Sequence, residues 1–147
     1  MTSFSSIPSY LLGTIFTASG IISFVSPSTE HQTFGLPLPT STSIPIHHLS
    51  DTKLPSSART PPPAPTISPY VYAKGIRDLT YGLTYFIFQQ HGQESAITTF
   101  TGIVCIAGFV DGLLVWRFGG GSRGKAKEHF AAVVVLSSWA GRRAWGK

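Results

Sequence analysis

The chain has 147 residues, the length of one domain, yet only 12% of them are charged, against about 25% in an ordinary soluble domain. Its net charge of +5 would suit nucleic acid, but the basic residues stand at the ends of apolar runs and form no stripe. That placement argues against nucleic acid and for membrane flanks. A single cysteine, Cys105, excludes an internal disulfide and a cysteine-built metal site, and the absence of asparagine excludes N-glycosylation.

The first predicted element is an apolar helix over Ile7 to Val25 ("IPSYLLGTIFTASGIISFV"). A membrane helix needs about 20 residues, and a run of this length is too long for a strand. No Lys or Arg precedes Lys53, unlike the basic flank of a secretory signal or an Arg-rich mitochondrial presequence. The run therefore reads as a retained helix, and the location as endomembrane, the endoplasmic reticulum rather than the mitochondrion.

Pro27 to Pro69 follows, with ten of the eleven prolines and much Ser and Thr. Such a segment buries too little apolar surface to offset its ordering entropy and reads as a disordered loop. Within it, Arg59, Pro62 and Pro65 fit R-x-x-P-x-x-P, a pattern for a proline-motif-binding partner with an SH3-type groove. Ser26, Thr60 and Ser68 each precede a proline and are phosphorylation candidates. His47 and His48 are adjacent and lack a third spaced ligand, so no metal is implied.

The second helix is predicted over Tyr70 to Gln90, and charges interrupt it. Lys74, Arg77, Asp78, Tyr81 and Tyr85 fall at i, i+3, i+4, i+7 and i+11 and share one stripe. A charge facing lipid near the bilayer centre costs at least about 2.5–3.5 kcal/mol, so the stripe is expected to face other helices or a wet cavity. The third helix, Ser95 to Trp116, carries Asp111 in "GFVDG", where Gly108 and Gly112 form a small-xxx-small pair that admits a close neighbour. Next, Gly119 to Lys125 has the spacing of a phosphate-binding loop. Ala126 stands where a Ser or Thr would bind magnesium, and a long apolar helix precedes it instead of a strand, so nucleotide is not expected. The fourth helix is predicted over His129 to Trp145. Tyr70, Tyr72, Trp116, Trp139 and Trp145 stand toward helix ends, as in an interfacial belt.

Counting Lys and Arg places Lys53, Arg59, Arg117, Arg123, Lys125 and Lys127 on one side, predicted to be cytosolic, with both termini opposite. Arg142, Arg143 and Lys147 oppose this count. In that topology the second helix starts, the third ends and the fourth starts on the same side, so Arg77, Asp78, Asp111 and His129 converge in one leaflet. Lys74 and Arg77 balance Asp78 and Asp111. Three readings are open. The cations can snorkel to head groups with Asp78 as surface partner; Arg77 and Asp111 can form a packed structural pair; or Asp111 or His129 can move a proton in catalysis.

"FGLP" at Phe34, "KGIRDLTYGL" at Lys74, "GFVDGLLV" at Gly108 and "AKEHFAAVV" at Ala126 together resemble an uncharacterised family of small four-helix membrane proteins of filamentous fungi, a domain of unknown function. The resemblance covers nearly the whole chain outside roughly Thr40 to Ser68 and implies that Arg77, Asp78, Asp111 and His129 are recurring positions. It implies no activity.

The expected fold is all-α: one membrane domain over residues 1–147, a four-transmembrane-helix bundle packed through Gly75, Gly82, Gly108 and Gly112, with the long disordered loop between its first two helices. Two functions compete. One is an accessory or scaffolding membrane protein whose charges fix helix assembly. The other is a membrane-embedded isomerase or cyclase for a lipophilic small molecule, with Asp111 or His129 as acid or base and Arg77 positioning a carboxylate or enolate. A carrier or channel subunit ranks third, since four short helices make a narrow pore. The expected partners are the lipid bilayer and that small molecule, with no cofactor.

Overall fold

The computed structural model describes residues 5–36, 67–120 and 123–145, and every element among them is an α-helix. These are α1 (Ile7–Val25), α2 (Pro27–Phe34), α3 (Pro69–Gln90), α4 (Glu94–Phe118) and α5 (Arg123–Trp145). Three of them begin with proline in the first turn, where its fixed φ suits the helix and its missing N–H removes only an orphan donor. Ser68 caps α3 by accepting from the Tyr70 N–H at 3.3 Å.

The four long helices alternate in direction. Residues of α1 and α3 meet in opposite order, Gly13 against Phe86, Thr17 against Gly82 and Ser23 against Gly75. In the other hairpin, α4 and α5 pair Thr98 with Arg143 at one end and Gly112 with Phe130 at the other. The two hairpins join through α3 and α4, where the Tyr85 hydroxyl and Thr101 Oγ1 lie 3.0 Å apart beneath an aromatic cluster of Phe16, Tyr81, Phe88 and Phe100. The short α2 lies across one end of the bundle.

The buried face of α1 consists of Ser9, Gly13, Gly20 and Ser23, while Leu11, Ile15, Ile21, Ile22 and Val25 are exposed. This reverses the soluble arrangement, in which large apolar side chains turn inward. Small residues on that face let the two backbones approach closely. Gly20 and Gly82 show the closeness. A Cβ on Gly20 would stand 2.7 Å from the Leu79 nitrogen, and one on Gly82 would stand 2.7 Å from both the Gly13 carbonyl oxygen and the Thr17 nitrogen, besides striking Thr17 Oγ1.

Two helices, α1 and α4, are long and apolar enough to cross a membrane, and only 22% and 33% of their apolar stretches are buried.

Of the four glycines expected at helix contacts, Gly75 and Gly82 meet α1, and Gly108 and Gly112 meet Val133 and Phe130 of α5. The expected loop from Pro27 is corrected at its start. Pro27–Phe34 is helical, ended by Gly35 in the left-handed conformation at φ 95°, and a Cβ there would strike Lys125. The proline motif at Arg59, Pro62 and Pro65, the histidines at 47 and 48, and Thr60 lie outside the described residues. The last helix starts at Arg123, six residues before the expected His129, because the basic residues there form its exposed first turns. Of the run with phosphate-loop spacing, Arg123 to Lys125 lie in the first turn of α5.

Candidate functional site

The α2 end of the bundle holds the charges. On α3, Lys74 and Asp78 are four residues apart and buried, and Lys74 Nζ lies 2.6 Å from Asp78 Oδ2. The same ammonium lies 2.6 Å from Glu30 Oε1 of α2 and donates to Ser19 Oγ of α1 at 3.1 Å. All three ammonium hydrogens are thereby engaged, so Lys74 is a fixed cation with none to spare for a further acceptor. Ser19 donates in turn to Asp78 Oδ2 at 2.8 Å.

Arg77 continues the network across the hairpin boundary. Its Nη2 lies 2.6 Å from Asp111 Oδ2 and its Nη1 3.0 Å from Asp111 Oδ1, the parallel geometry that makes guanidinium–carboxylate pairs strong. Its Nε and Nη2 each reach Asp78 Oδ1 at 3.4 Å, and the Tyr70 hydroxyl donates to Asp111 Oδ1 at 3.4 Å. The chain of contacts runs Glu30, Lys74, Asp78, Arg77, Asp111, Tyr70, drawing on α2, α3 and α4. The structure thus brings Arg77, Asp78 and Asp111 together. Lys74 is also buried, which rules out snorkelling for that cation.

His129 of α5 stands beside this network without joining its ion pairs. Its Nε2 lies 3.3 Å from the Phe34 carbonyl oxygen, and its ring meets the Phe34 ring edge-on at 4.9 Å. A carbonyl only accepts, so Nε2 carries the hydrogen, and Nδ1 has no hydrogen-bond partner among the described residues. Arg77, Asp111 and His129 line one cavity of about 200 Å³, with Tyr81, Ser19, Lys74, Asp78 and aliphatic side chains of α1, α4 and α5. Both Asp111 oxygens accept hydrogen bonds from Arg77.

Sequence reasoning missed Glu30, and this alters the electrostatics. Three carboxylates, Glu30, Asp78 and Asp111, face two cations, Lys74 and Arg77, so the expected neutrality gives way to one surplus negative charge. Beside Glu30, His31 is also buried and donates through Nδ1 to the Leu36 carbonyl at 3.1 Å. A second site missed is Arg143, counted above as a loop cation; it is buried, bonded to Glu94, donates to Thr98 Oγ1 at 3.3 Å and lies 5.0 Å from the Trp139 ring centroid.

Glu30 ties α2 to the bundle, and this is testable. In Glu30→Ala, Lys74 keeps Asp78, so the four long helices are expected to stay assembled while α2 loosens. Hydrogen exchange over Pro27–Phe34 should then rise well above that of α3; unchanged protection of α2 would assign its anchoring to Phe34 alone.

Among known proteins, residues 13–142 match the family described as "Domain of unknown function (DUF4267)". No curated protein and no solved structure matches the chain.

Proposed function

We propose that this chain, which belongs to the DUF4267 family, is a four-span membrane protein of accessory or scaffolding type whose buried charge network holds two helical hairpins in register. The observation that carries this reading is the two-bond Arg77–Asp111 pair between α3 and α4, the helices through which the hairpins meet. Each carboxylate of the network is paired, as expected where charges serve assembly.

Packing supports the reading of four spans. α3 lies antiparallel along α1 and α5 along α4, and a helix flanking a spanning helix over its length shares its depth. The charges that lower the hydropathy of α3 point inward to partners, and those of α5 sit in its first and last turns. On this reading the basic end, with Arg117, Arg123, Lys125 and Lys127, faces the cytosol. The opposing count is weakened by Arg143, which is buried against Glu94. The reading includes an endomembrane location, the endoplasmic reticulum, which fractionation against organelle markers tests.

A second reading, a membrane-embedded isomerase or cyclase-type catalyst for a lipophilic metabolite, is favoured by the open Nδ1 of His129 in the wall of the cavity. His129→Gln separates the two, because it breaks no ion pair and is expected to accumulate normally. Lipophilic metabolites are compared between wild-type, deletion and His129→Gln cells, with membrane levels measured alongside. A wild-type profile at normal abundance supports the scaffold; a deletion-like profile at normal abundance establishes the catalyst.

A further inference from the structure

The cavity beside the network has three properties that together define a ligand. First, it opens sideways. Ile15 of α1 and Ala132 of α5 both line it and both are exposed, so its mouth lies between these helices on the face that meets lipid when α1 spans. A molecule dissolved in the bilayer reaches it without crossing water.

Second, its charge balance selects against ions. The four charged residues that line it, Lys74, Arg77, Asp78 and Asp111, sum to zero, and both oxygens of Asp78 and of Asp111 already accept from Lys74, Arg77, Ser19 or Tyr70. A cationic head finds no free carboxylate oxygen. An anionic head meets the surplus negative charge contributed by Glu30 just behind Lys74. In a low-dielectric site neither charge would be desolvated without a partner.

Third, the remaining hydrogen-bonding capacity is a mixed set. Of the five guanidinium hydrogens of Arg77, four point to Asp78 and Asp111, which leaves one on Nη1. The Tyr81 hydroxyl has no partner among the described residues, and His129 Nδ1 is an open acceptor. A hydroxyl group, which donates and accepts at once, satisfies this set; a carbonyl satisfies only its donors.

We infer that the cavity binds a neutral, hydroxyl-bearing lipid, taken from the bilayer through the gap between α1 and α5, with its hydroxyl at Arg77, Tyr81 and His129. The volume of about 200 Å³ exceeds the roughly 150 Å³ that holds a benzene and is smaller than the roughly 300 Å³ of a drug-sized site. It houses the head and first carbons, and the remainder of the tail lies in the gap. This inference rests on the cavity of the second reading above, and it requires binding without requiring turnover.

The full chain is purified, reconstituted in phosphatidylcholine vesicles and exposed to a long-chain alcohol with a diazirine near its head, and in parallel to the matched fatty acid and primary amine. Crosslinks are located by mass spectrometry. The alcohol is expected to label the Ile15–Ser19 and Ala132–Leu136 segments, the acid and amine several-fold less. Tyr81→Phe should weaken alcohol labelling by about three- to tenfold, the worth of one hydrogen bond. Ala132→Trp, at an exposed position that the fold tolerates, should abolish it at unchanged helicity. Equal labelling by acid or amine, or labelling that Ala132→Trp leaves intact, overturns the inference. Specific labelling with a wild-type metabolite profile in His129→Gln keeps the ligand and removes the catalyst; a deletion-like profile in that variant without alcohol labelling keeps the catalyst and removes this ligand.

Discussion

Replacing Asp111 by Leu should destabilise the protein by about 3–5 kcal/mol, the cost of leaving a mostly buried guanidinium without its principal partner. Beyond its place 5.9 Å from the Tyr81 ring centroid, Arg77 retains the 3.4 Å contacts to Asp78, and Asp78 is already committed to Lys74 at 2.6 Å. Arg77→Leu strands Asp111 in the same way. The double variant Arg77→Leu/Asp111→Leu removes both charges and fills their space with apolar atoms, so it should accumulate in membranes above either single variant. This non-additivity is the signature of a direct pair. It is read from membrane abundance and thermal unfolding in detergent; a double variant as unstable as the two losses combined would mean that the residues act separately.

The second large effect is steric. Gly82 lies against the backbone of α1, with the Gly13 carbonyl oxygen and the Thr17 nitrogen each 2.7 Å from where its Cβ would stand. Backbone atoms of a packed helix cannot move aside as a side chain can, so Gly82→Leu is expected to separate α1 from α3. The loss should exceed the usual 1–3 kcal/mol, roughly, of core overpacking. Gly102, with nothing within 4 Å of its Cβ position, supplies the opposite sign. Gly102→Ala should stabilise α4 by up to about 1 kcal/mol through helix propensity alone. Melting temperatures of the two variants check both, and a Gly82→Leu protein that melts like the wild type would refute the close α1–α3 contact.

The long helices were legible because their apolar runs are too long for strands, and the convergence of Arg77, Asp78 and Asp111 followed from alternating direction together with helical spacing. α2 was obscured by composition: prolines dominate Pro27 to Pro69 as a block, yet Ser26, Pro27 and Gly35 carry the local signature of a helix start and stop. With α2 lost, Glu30 was lost too, and the charge sum with it. The α1 face of Ser9, Gly13, Gly20 and Ser23 was written in the spacing but hidden by the larger residues around it. Arg143 could not be distinguished from a flanking cation, since its burial depends on Glu94 and Thr98 of α4, which the hairpin brings against it.

Cysteine accessibility decides whether α3 crosses the membrane beside α1 and α4. In a Cys105→Ala background, single cysteines are placed at Thr29 in α2, at Gly92 in the α3–α4 turn and at Gly120 in the α4–α5 turn, then labelled in sealed vesicles with a membrane-impermeant maleimide. Four spans require Thr29→Cys and Gly120→Cys to react from one side and Gly92→Cys from the other. If Thr29→Cys and Gly92→Cys react from the same side, α3 does not cross, and the charge network lies outside the bilayer.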